Sequence, residues 1–206
     1  MILKHQVHPW HGISTRKQSP SVVTAFIEVV PSDTVKYEID KVSGYLQIDR
    51  PHKYSNAIPT LYGFIPQTYC AEKIAEYAQF QSGKEIDKGD NDPLDICVLS
   101  ERTIPHGNII LEAIPIGGFR LFDQGEADDK IIAVMKGDEL HEQWTDISDC
   151  PDSYINRLKH FFLTYKALPE EKNTSEIINI YGRKEAHQVI NRAADDYKTY
   201  METFKK

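Results

Sequence analysis

Residues 88–95 hold three carboxylates within six positions, at Asp90, Asp92 and Asp95, and an apolar run at 96–99 follows them. Carboxylates this close repel one another unless a cation lies among them, and a divalent metal ion that prefers oxygen ligands is the usual cation. Pro93 has a fixed φ and no N–H group, so the segment is predicted to form a turn that leads into a strand. The pattern therefore predicts a magnesium site just before that strand.

A second acidic cluster spans residues 123–129 and ends beside Lys130. Because side chains alternate along a strand, Asp128 and Lys130 are predicted to point to the same face. A carboxylate on that face suits a metal ion, and an ammonium suits an oxyanion. Lys36 and Glu38 repeat the same two-residue spacing on an earlier predicted strand. The two pairs together predict a site that binds both a metal and a phosphate.

The chain thus combines clustered acids with distributed cations and hydroxyls. The acids are Glu38, Asp90, Asp92, Asp95, Asp123 and Asp128, and the cations and hydroxyls are Lys36, Arg50, Tyr62, Lys130, Tyr165 and Lys166. Phosphoryl transfer needs both sets, because metal ions neutralise phosphate oxygens while Arg and Lys stabilise the leaving phosphate. Hydrolysis also needs a base that accepts a proton from the attacking water.

The elements that would position these residues are strands early in the chain and helices in its last third. Strands are predicted at 22–30, 35–40, 45–49, 94–99, 109–117 and 130–136, and helices at 152–166 and 183–204. Residues 1–21 are interpreted as an extension over the core, 56–69 as an irregular packed loop and 70–88 as an exposed surface insertion. Strands followed by helices, without regular alternation, favour a single α+β domain over residues 1–206, built on a small antiparallel or barrel sheet.

Composition and charge narrow the class of protein. The 206 residues suffice for one sizeable core, and 40% hydrophobic with 27% charged residues is ordinary for a globular domain. A net charge of −7 argues against nucleic acid as a partner, since tracking a phosphate backbone needs an excess of Lys and Arg. The three cysteines form no C-x-x-C pair, which favours reduced thiols. No apolar run approaches the ~20 residues that cross a membrane, so a cytoplasmic protein with no membrane partner is predicted.

The motifs, in their order along the chain, resemble those of the soluble family I inorganic pyrophosphatases. The matching blocks are Lys-Tyr-Glu-Ile-Asp-Lys at 36–41, Asp-Arg at 49–50, Asp-x-Asp-Pro-x-Asp at 90–95, Asp-x(4)-Asp-x-Lys at 123–130 and Phe-Phe-x-x-Tyr-Lys at 161–166. One such block alone is a modest signal, whereas five in order are specific. The resemblance runs from about Phe26 to the C-terminal helix. It implies an α+β, mainly β fold, with a five-stranded, OB-like closed barrel flanked by two main helices, and Mg²⁺-dependent hydrolysis of pyrophosphate to two phosphates.

The resemblance also implies roles for individual residues. Asp90, Asp95 and Asp128 would hold the activating metal ions, and Asp123, Asp128 and Glu38 would meet those that arrive with substrate. Asp92 would be the general base that acts on a metal-activated water. The phosphate-binding positions would be Lys36, Arg50, Tyr62, Lys130, Tyr165 and Lys166, and Glu28 would orient Lys130 or a neighbouring group. Several Mg²⁺ ions per site are implied, with Mn²⁺ or Zn²⁺ as substitutes, together with a homo-oligomer.

The chain departs from the family's common pattern at several places. Ile58 stands where many bacterial relatives have a tyrosine, Gln124 replaces a frequent glutamate, and Asn91 replaces a common glycine. The 70–88 segment is longer than in compact bacterial members, and no Lys-Trp pair follows Lys166. These changes bear on subunit contacts and metal preference more than on the metal-binding aspartates.

Other interpretations stay open at this point. Each acidic cluster alone is more often a solvated turn, and residues 90–95 lack the glycine and distal glutamate of an EF-hand calcium loop. A phosphatase or nucleotide hydrolase of broader scope is an alternative enzyme, although the chain has no P-loop. An inactive homologue that binds metal or phosphate is a third hypothesis, against which the presence of Asp92 argues. His5, His8 and His11 are interpreted as part of a packed or solvated extension rather than as metal ligands.

Overall fold

The computed structural model describes residues 6–15, 17–166, 168 and 174–205. In chain order the strands are β1 (Val23–Val29), β2 (Val35–Ile39), β3 (Leu46–Pro51), β4 (Leu61–Phe64), β5 (Lys88–Gly89), β6 (Asp95–Leu99), β7 (Ile109–Asp123), β8 (Glu126–Ala127), β9 (Lys130–Met135) and β10 (Ser175–Gly182). The α-helices are α1 (Glu72–Ser82), α2 (Asp152–Thr164) and α3 (Arg183–Glu202). His5, from the predicted extension, lies outside the described residues.

Five strands close into a ring in the order β1, β4, β6, β9 and β7, and β7 pairs back to β1. Neighbours in this ring are antiparallel except β6 and β9, which are parallel. Strands β5, β8 and β10 extend the sheet beyond the ring, while β2 and β3 form a separate hairpin. The predicted mainly β fold with a five-stranded closed barrel is therefore confirmed.

Alternation along the ring strands separates two large apolar clusters, and a third, smaller cluster contains Trp10, Phe26, Ile39, Phe64 and Tyr197. On β9, Ile131 and Ala133 belong to one cluster and Ile132 and Val134 to the other, as expected for side chains that alternate across a strand. Helices α1 and α3 contribute to the first cluster, and α2 contributes to the second. Because both faces of the ring strands are buried, those strands have near-continuous apolar sequences.

The predicted strands and helices agree with the structure within two residues at most ends, but several segments differ. The strand predicted at 109–117 continues to Asp123, the predicted loop at 56–69 contains β4, and β10 has no predicted counterpart. Strand β4 is only four residues long and contains Gly63, a residue that usually interrupts strands. Here glycine is required, because a Cβ at this position would lie 1.9 Å from the carbonyl oxygen of Phe26 on β1.

The segment 70–88, predicted to be an exposed insertion, contains α1, so the barrel has three flanking helices instead of the two predicted. One face of α1, including Ile74, is buried in the core cluster that α3 shares. The helix has no side-chain cap from its own first residues. Instead, the Asp196 carboxylate of α3 accepts the backbone N–H groups of Ala71, Lys73 and Ile74 at 3.0, 3.2 and 3.2 Å. Tertiary contacts therefore stabilise this helix and cap its N-terminus.

Within the described ranges, no helix combines the length and the apolar content that a membrane crossing requires.

Candidate active site

The acidic loop, residues 90–95, is fixed by backbone hydrogen bonds. The Asp92 N–H donates to Asp90 Oδ1 at 3.0 Å, and the Asp92 carbonyl accepts the N–H of Cys70 at 2.9 Å. Asn91 has φ 60°, in the left-handed region that glycine and asparagine adopt most readily. Asparagine therefore fits this backbone position. The structure shows the predicted turn before a strand, since β6 begins at Asp95.

Lys130 joins two of the predicted metal ligands. Strands β6 and β9 run in parallel with Asp95 opposite Lys130, and the Lys130 ammonium donates to Asp95 Oδ2 and to Asp128 Oδ1. Tyr62, on the neighbouring β4, donates its hydroxyl to Asp95 Oδ2 at 2.6 Å. Asp128 and Lys130 thus point to one side, as their spacing predicts. Four predicted site residues form one contact network.

The three carboxyls around Lys130 differ in how readily they ionise. Burial raises the pKa of Asp90 well above its ordinary value, and the adjacent Asp128 carboxylate raises it further. Burial also raises the pKa of Asp95, while Lys130 opposes that rise. For Asp128 burial acts in the same direction, but Lys130 and the hydrogen bond with Asp90 outweigh it and lower the pKa. The pKa values of Asp90 and Asp128 therefore shift in opposite directions, upward for Asp90 and downward for Asp128.

The β2–β3 hairpin carries predicted cations and one predicted acid. Lys36 lies opposite Arg50 in the hairpin, and its Nζ is 3.1 Å from Glu38 Oε2 and 3.0 Å from Asp49 Oδ2. Burial alone would lower the pKa of Lys36, but the hydrogen bond to Asp49 and the charge of Glu38 leave it raised. Lys36 is therefore protonated at neutral pH and able to bind an anion.

A cleft in two adjoining parts runs between the hairpin, the acidic loop and the end of α2. The first part, about 550 Å³, has among its lining residues Glu38, Lys41, Asp92 and Asp95. The second part, about 480 Å³, has among its lining residues Arg50, Ile58, Phe161 and Tyr165. Lys36 and Tyr62 line both parts and so connect them. Ile58 presents an apolar wall to the second part.

Asp123 and Lys166 form a pair at the end of β7. Lys166 Nζ donates to Asp123 Oδ2 at 2.5 Å, and the hydroxyls of Ser175 and Thr174 donate to Asp123 Oδ1 at 2.9 and 3.0 Å. Burial opposes ionisation of Asp123, but these donors outweigh it and lower its pKa. The charge of Lys166 also lowers the pKa of Asp128, so this pair lies close to the Lys130 network.

Glu28 lies beneath the hairpin and is only 6% exposed. Its Oε1 accepts the backbone N–H of Ile39 on β2 at 2.7 Å, so this hydrogen bond goes to the hairpin and not to Lys130. Burial raises the pKa of Glu28 to about 8, and the nearby Asp95 adds to the rise. Glu28 is therefore mostly protonated at neutral pH and anchors the strand that carries Lys36.

Three further residues belong to the site although none was among the predicted residues. Lys41 forms an ion pair with Asp92, and Asp49 binds Lys36. Both lie inside the blocks at 36–41 and 49–50, so a sequence signal for them existed. The buried Asp129, next to Asp128, accepts hydrogen bonds from Arg120 at 3.3 Å and Tyr181 at 3.1 Å. No local spacing reveals that contact, because it joins separate strands.

The carboxylates of this site suit a hard divalent cation. Lys130 supplies one positive charge to the two carboxylates that it contacts, Asp95 and Asp128, while burial and the Asp128 charge raise the pKa of the neighbouring Asp90. A divalent ion would offset the charge of these clustered carboxylates and favour the ionised form of Asp90. Among the described residues no three acid, histidine or cysteine side chains are already gathered around a common point. The fit therefore rests on the oxygen donors and their excess charge.

Comparison with known proteins gives consistent matches over most of the chain. A family model described as inorganic pyrophosphatase matches residues 25–198. The inorganic pyrophosphatase of Chlamydia muridarum is 51% identical over 196 residues, which are 93% of this chain and 94% of that protein. Soluble inorganic pyrophosphatase 3 of Arabidopsis thaliana is 34% identical over 195 residues, 94% of this chain and 80% of that protein. The crystal structure of the inorganic pyrophosphatase from Thermus thermophilus has a TM-score of 0.77 at 28% identity, covering 93% of this chain and 99% of that one.

Proposed function

The chain belongs to the soluble family I inorganic pyrophosphatases and hydrolyses pyrophosphate, and we propose that the reaction depends on Mg²⁺ and uses Asp92 as its general base. The observation that carries this proposal is that Asp92 and Asp95, the latter bound to Lys130, line the same cleft as the hairpin cation Lys36. Groups suited to a metal thus face groups suited to phosphate across a space that Lys36 and Tyr62 line throughout.

We infer that pyrophosphate binds along this cleft through cations and tyrosine hydroxyls. The proposed ligands are Lys36, Arg50, Tyr62, Lys130, Tyr165 and Lys166. Burial would lower the pKa of Lys166, but Tyr165 and Asp123 outweigh it and keep the ammonium charged. A doubly paired cation such as Lys36 can exchange one carboxylate partner for a phosphate oxygen without leaving a buried charge unpaired. Positive charge is therefore available along both parts of the cleft.

We propose that several Mg²⁺ ions are held by Asp90, Asp95 and Asp128, with Asp123 and Glu38 meeting the ions that accompany substrate. When bound, Mg²⁺ neutralises phosphate oxygens and lowers the pKa of a coordinated water. Mn²⁺ and Zn²⁺ also accept carboxylate ligands, so they are proposed as substitutes.

Asp92 is the proposed base because it differs from its neighbours in exposure. Its side chain is 48% exposed and lines the cleft beside Asp95. Asp92 takes a proton from the attacking water as the water oxygen bonds to one phosphorus. The bond between that phosphorus and the bridging oxygen then breaks, and Lys36 and Arg50 stabilise the charge on the departing phosphate. Two phosphates result, and the abstracted proton leaves with product or solvent.

The proposal is tested first by phosphate release from pyrophosphate with Mg²⁺, with EDTA, and with ATP as a rival substrate. Fast release from pyrophosphate that EDTA abolishes, without comparable release from ATP, is the expected result. Equal turnover in EDTA would refute the metal dependence. Comparable rates with ATP would favour a hydrolase of broader scope.

Two substitutions separate the base from the metal ligands. Asp92→Asn is expected to lower kcat on the order of 10²–10⁴-fold while retaining much of the Mg²⁺ binding. Asp95→Ala is expected to lose Mg²⁺ binding itself. Calorimetric titration with Mg²⁺ measures the Mg²⁺ affinity of both variants. The matched control is Asp87→Asn, at an exposed acid five residues before Asp92. Equal Mg²⁺ affinity in the two site variants would contradict these roles.

We also propose a homo-oligomer that works in the cytoplasm. Cys70, Cys97 and Cys150 are free and buried, which suits a reducing compartment. Val42 and Ile48 of the hairpin region are 90% and 61% exposed, apolar surface that a second subunit could cover. Light scattering after gel filtration measures the mass, and a monomer at micromolar concentration would refute the oligomer.

A further inference from the structure

A segment at the N-terminus, outside the family match that begins at residue 25, packs tightly on the site's supporting loops. Residues 6–12 are called the strap. Trp10 of the strap is 1% exposed, and its indole Nε1–H donates to the carbonyl of Thr68 at 2.8 Å. The Trp10 carbonyl accepts the N–H of Gln67 at 2.9 Å. The strap is therefore bound to the segment that leads to Cys70, whose N–H holds the Asp92 carbonyl.

The strap also holds the tip of the β2–β3 hairpin, residues 40–45. His8 Nε2 lies 3.3 Å from the carbonyl oxygen of Lys41. Gly44 has φ 73°, and a Cβ there would lie 2.8 Å from both His8 Cδ2 and Pro9 Cδ. Strap and tip thus meet with no space for even a methyl group, so the strap fixes where the tip lies.

From that tip, Lys41 reaches the acidic loop. Its ammonium pairs with Asp92 Oδ1 and lies 3.5 Å from the carbonyl oxygen of Asn91. Asn91 is held in turn, because its Oδ1 accepts the Tyr69 hydroxyl at 2.9 Å. Among the described residues, Lys41 is the one cation at ion-pair distance from Asp92.

Two half-exposed side chains, 52% for Lys41 and 48% for Asp92, would normally contribute little to stability. This pair differs from an ordinary surface pair because both backbones are held, that of Lys41 by the strap and that of Asp92 by the N–H of Cys70. The pair can therefore set the direction of the Asp92 carboxylate in the cleft without adding much to the free energy of unfolding.

We propose that Lys41 is a positioning residue for Asp92, and that the strap sets the position of Lys41 through the hairpin tip. The inference rests on the proposed role of Asp92 as the base. Lys41 touches neither the reacting phosphorus nor the attacking water in this scheme. It restricts the carboxylate to the orientation in which proton transfer is fast, and misplacement of a catalytic group by about 1 Å can cost on the order of 10²-fold in rate.

The first experiment compares Lys41→Ala, Lys41→Arg and a control. Lys41→Ala is expected to lower kcat about tenfold with KM for pyrophosphate changed less than about twofold, because the residue positions the base and not the substrate. Lys41→Arg, which keeps a cation of similar reach, is expected to recover most of kcat. Lys84→Ala removes another exposed ion pair, with Glu176 at 2.5 Å, and is expected to leave kcat unchanged. Calorimetry is expected to give the wild-type Mg²⁺ affinity for all three.

Double-mutant cycles test whether the effect of Lys41 on kcat acts through Asp92. In an Asp92→Asn background, Lys41→Ala is expected to lower kcat no further, because the base it positions is gone. His8→Ala alone is expected to lower kcat on the order of threefold, and to have no effect once Lys41 is alanine. Hydrogen exchange adds a readout without turnover. The Gly44 N–H, which donates to Asp40 O at 2.8 Å, is expected to exchange faster in His8→Ala but not in Lys41→Ala.

Wild-type kcat in Lys41→Ala would overturn the proposal, and so would a loss that Lys41→Arg fails to recover. A His8→Ala effect that persists undiminished in the Lys41→Ala background would refute the route through the strap. Failure of the proposed role of Asp92 as the base can be distinguished from failure of its positioning by Lys41. If Asp92→Asn itself retains full turnover, the assignment of the base is wrong, whereas if only Lys41→Ala is silent, the base stands and its positioning by Lys41 does not.

Discussion

Replacement of the buried Glu28 by glutamine tests whether ionisation of this carboxyl destabilises the folded protein. Burial raises the pKa of Glu28 from 4.5 to about 8, with a further contribution from Asp95, while the N–H of Ile39 and the charge of Lys36 oppose the rise. Between these two values the folded state binds more protons than the unfolded state. The free energy of unfolding therefore falls as the pH rises from 4.5 to 8.

The magnitude follows from that interval. Each pH unit within it corresponds to about 1.4 kcal/mol, so complete ionisation lowers the free energy of unfolding by roughly 5 kcal/mol. Glutamine has the same shape, and its carbonyl can accept the Ile39 N–H that Glu28 accepts at 2.7 Å. It cannot ionise, so Glu28→Gln lacks the whole pH-dependent contribution. The free energy of unfolding of the variant, relative to that of the wild type, is expected to rise by about 3 kcal/mol between pH 5 and pH 7. Above pH 8 this difference is expected to change little.

The assay is urea unfolding of both proteins in EDTA at pH 5, 6, 7, 8 and 9. Groups other than Glu28 titrate in both proteins, so the difference between the two free energies isolates this residue. Glu139→Gln, at an exposed position after β9, is the control and is expected to give a difference independent of pH. A difference between Glu28→Gln and wild type that stays constant from pH 5 to pH 9 would refute the reasoning. In Mg²⁺ the added positive charge near Asp95 favours the Glu28 carboxylate, so a smaller slope is expected there.

Three further substitutions test the contacts that hold the site. Asp196→Ala removes the acceptor of three backbone N–H groups at the start of α1 and is expected to cost about 2–4 kcal/mol of unfolding free energy in urea; a cost below about 0.5 kcal/mol would show that water replaces the cap. Gly63→Ala places a Cβ 1.9 Å from the Phe26 carbonyl and is expected to prevent β1 from pairing with β4, so circular dichroism should show loss of the native fold, and a native spectrum would contradict this. Tyr62→Phe removes the hydroxyl that lies 2.6 Å from Asp95 Oδ2. It is expected to lower the free energy of unfolding in EDTA by about 1.5–3 kcal/mol and to raise KM for pyrophosphate. An unchanged KM would show that Tyr62 does not contact the substrate.

Contacts between residues close in sequence were predictable from spacing. The turn at Asp90 and Asp92 follows from three acids and a proline within six positions, and the common side of Asp128 and Lys130 follows from strand alternation. The buried face of α2, with Leu158 among its residues, follows from helical periodicity in the same way. In each case the local backbone geometry alone relates the side chains.

Contacts between distant residues were not predictable from spacing. Asp95 meets Lys130 only because β6 and β9 pair in parallel in one register, and no local pattern specifies that register. Helix α1 was not predictable from its own residues, because the carboxylate that caps its N-terminus, Asp196, belongs to α3 far along the chain. The resemblance predicts which residues share a site, but the order of its blocks does not say which of them touch.

The sequence by itself determined the residue types of the site and the turn and strand that carry its acids, because spacing and periodicity are local properties of a chain. The five-stranded barrel was implied by the resemblance to a known family and not by periodicity. Only the tertiary structure decided that Lys41 reaches Asp92, that burial and Asp128 raise the pKa of Asp90, and that burial raises the pKa of Glu28 to about 8. Burial and charge separation produce these three features, and both depend on distances between segments that the sequence order leaves undefined.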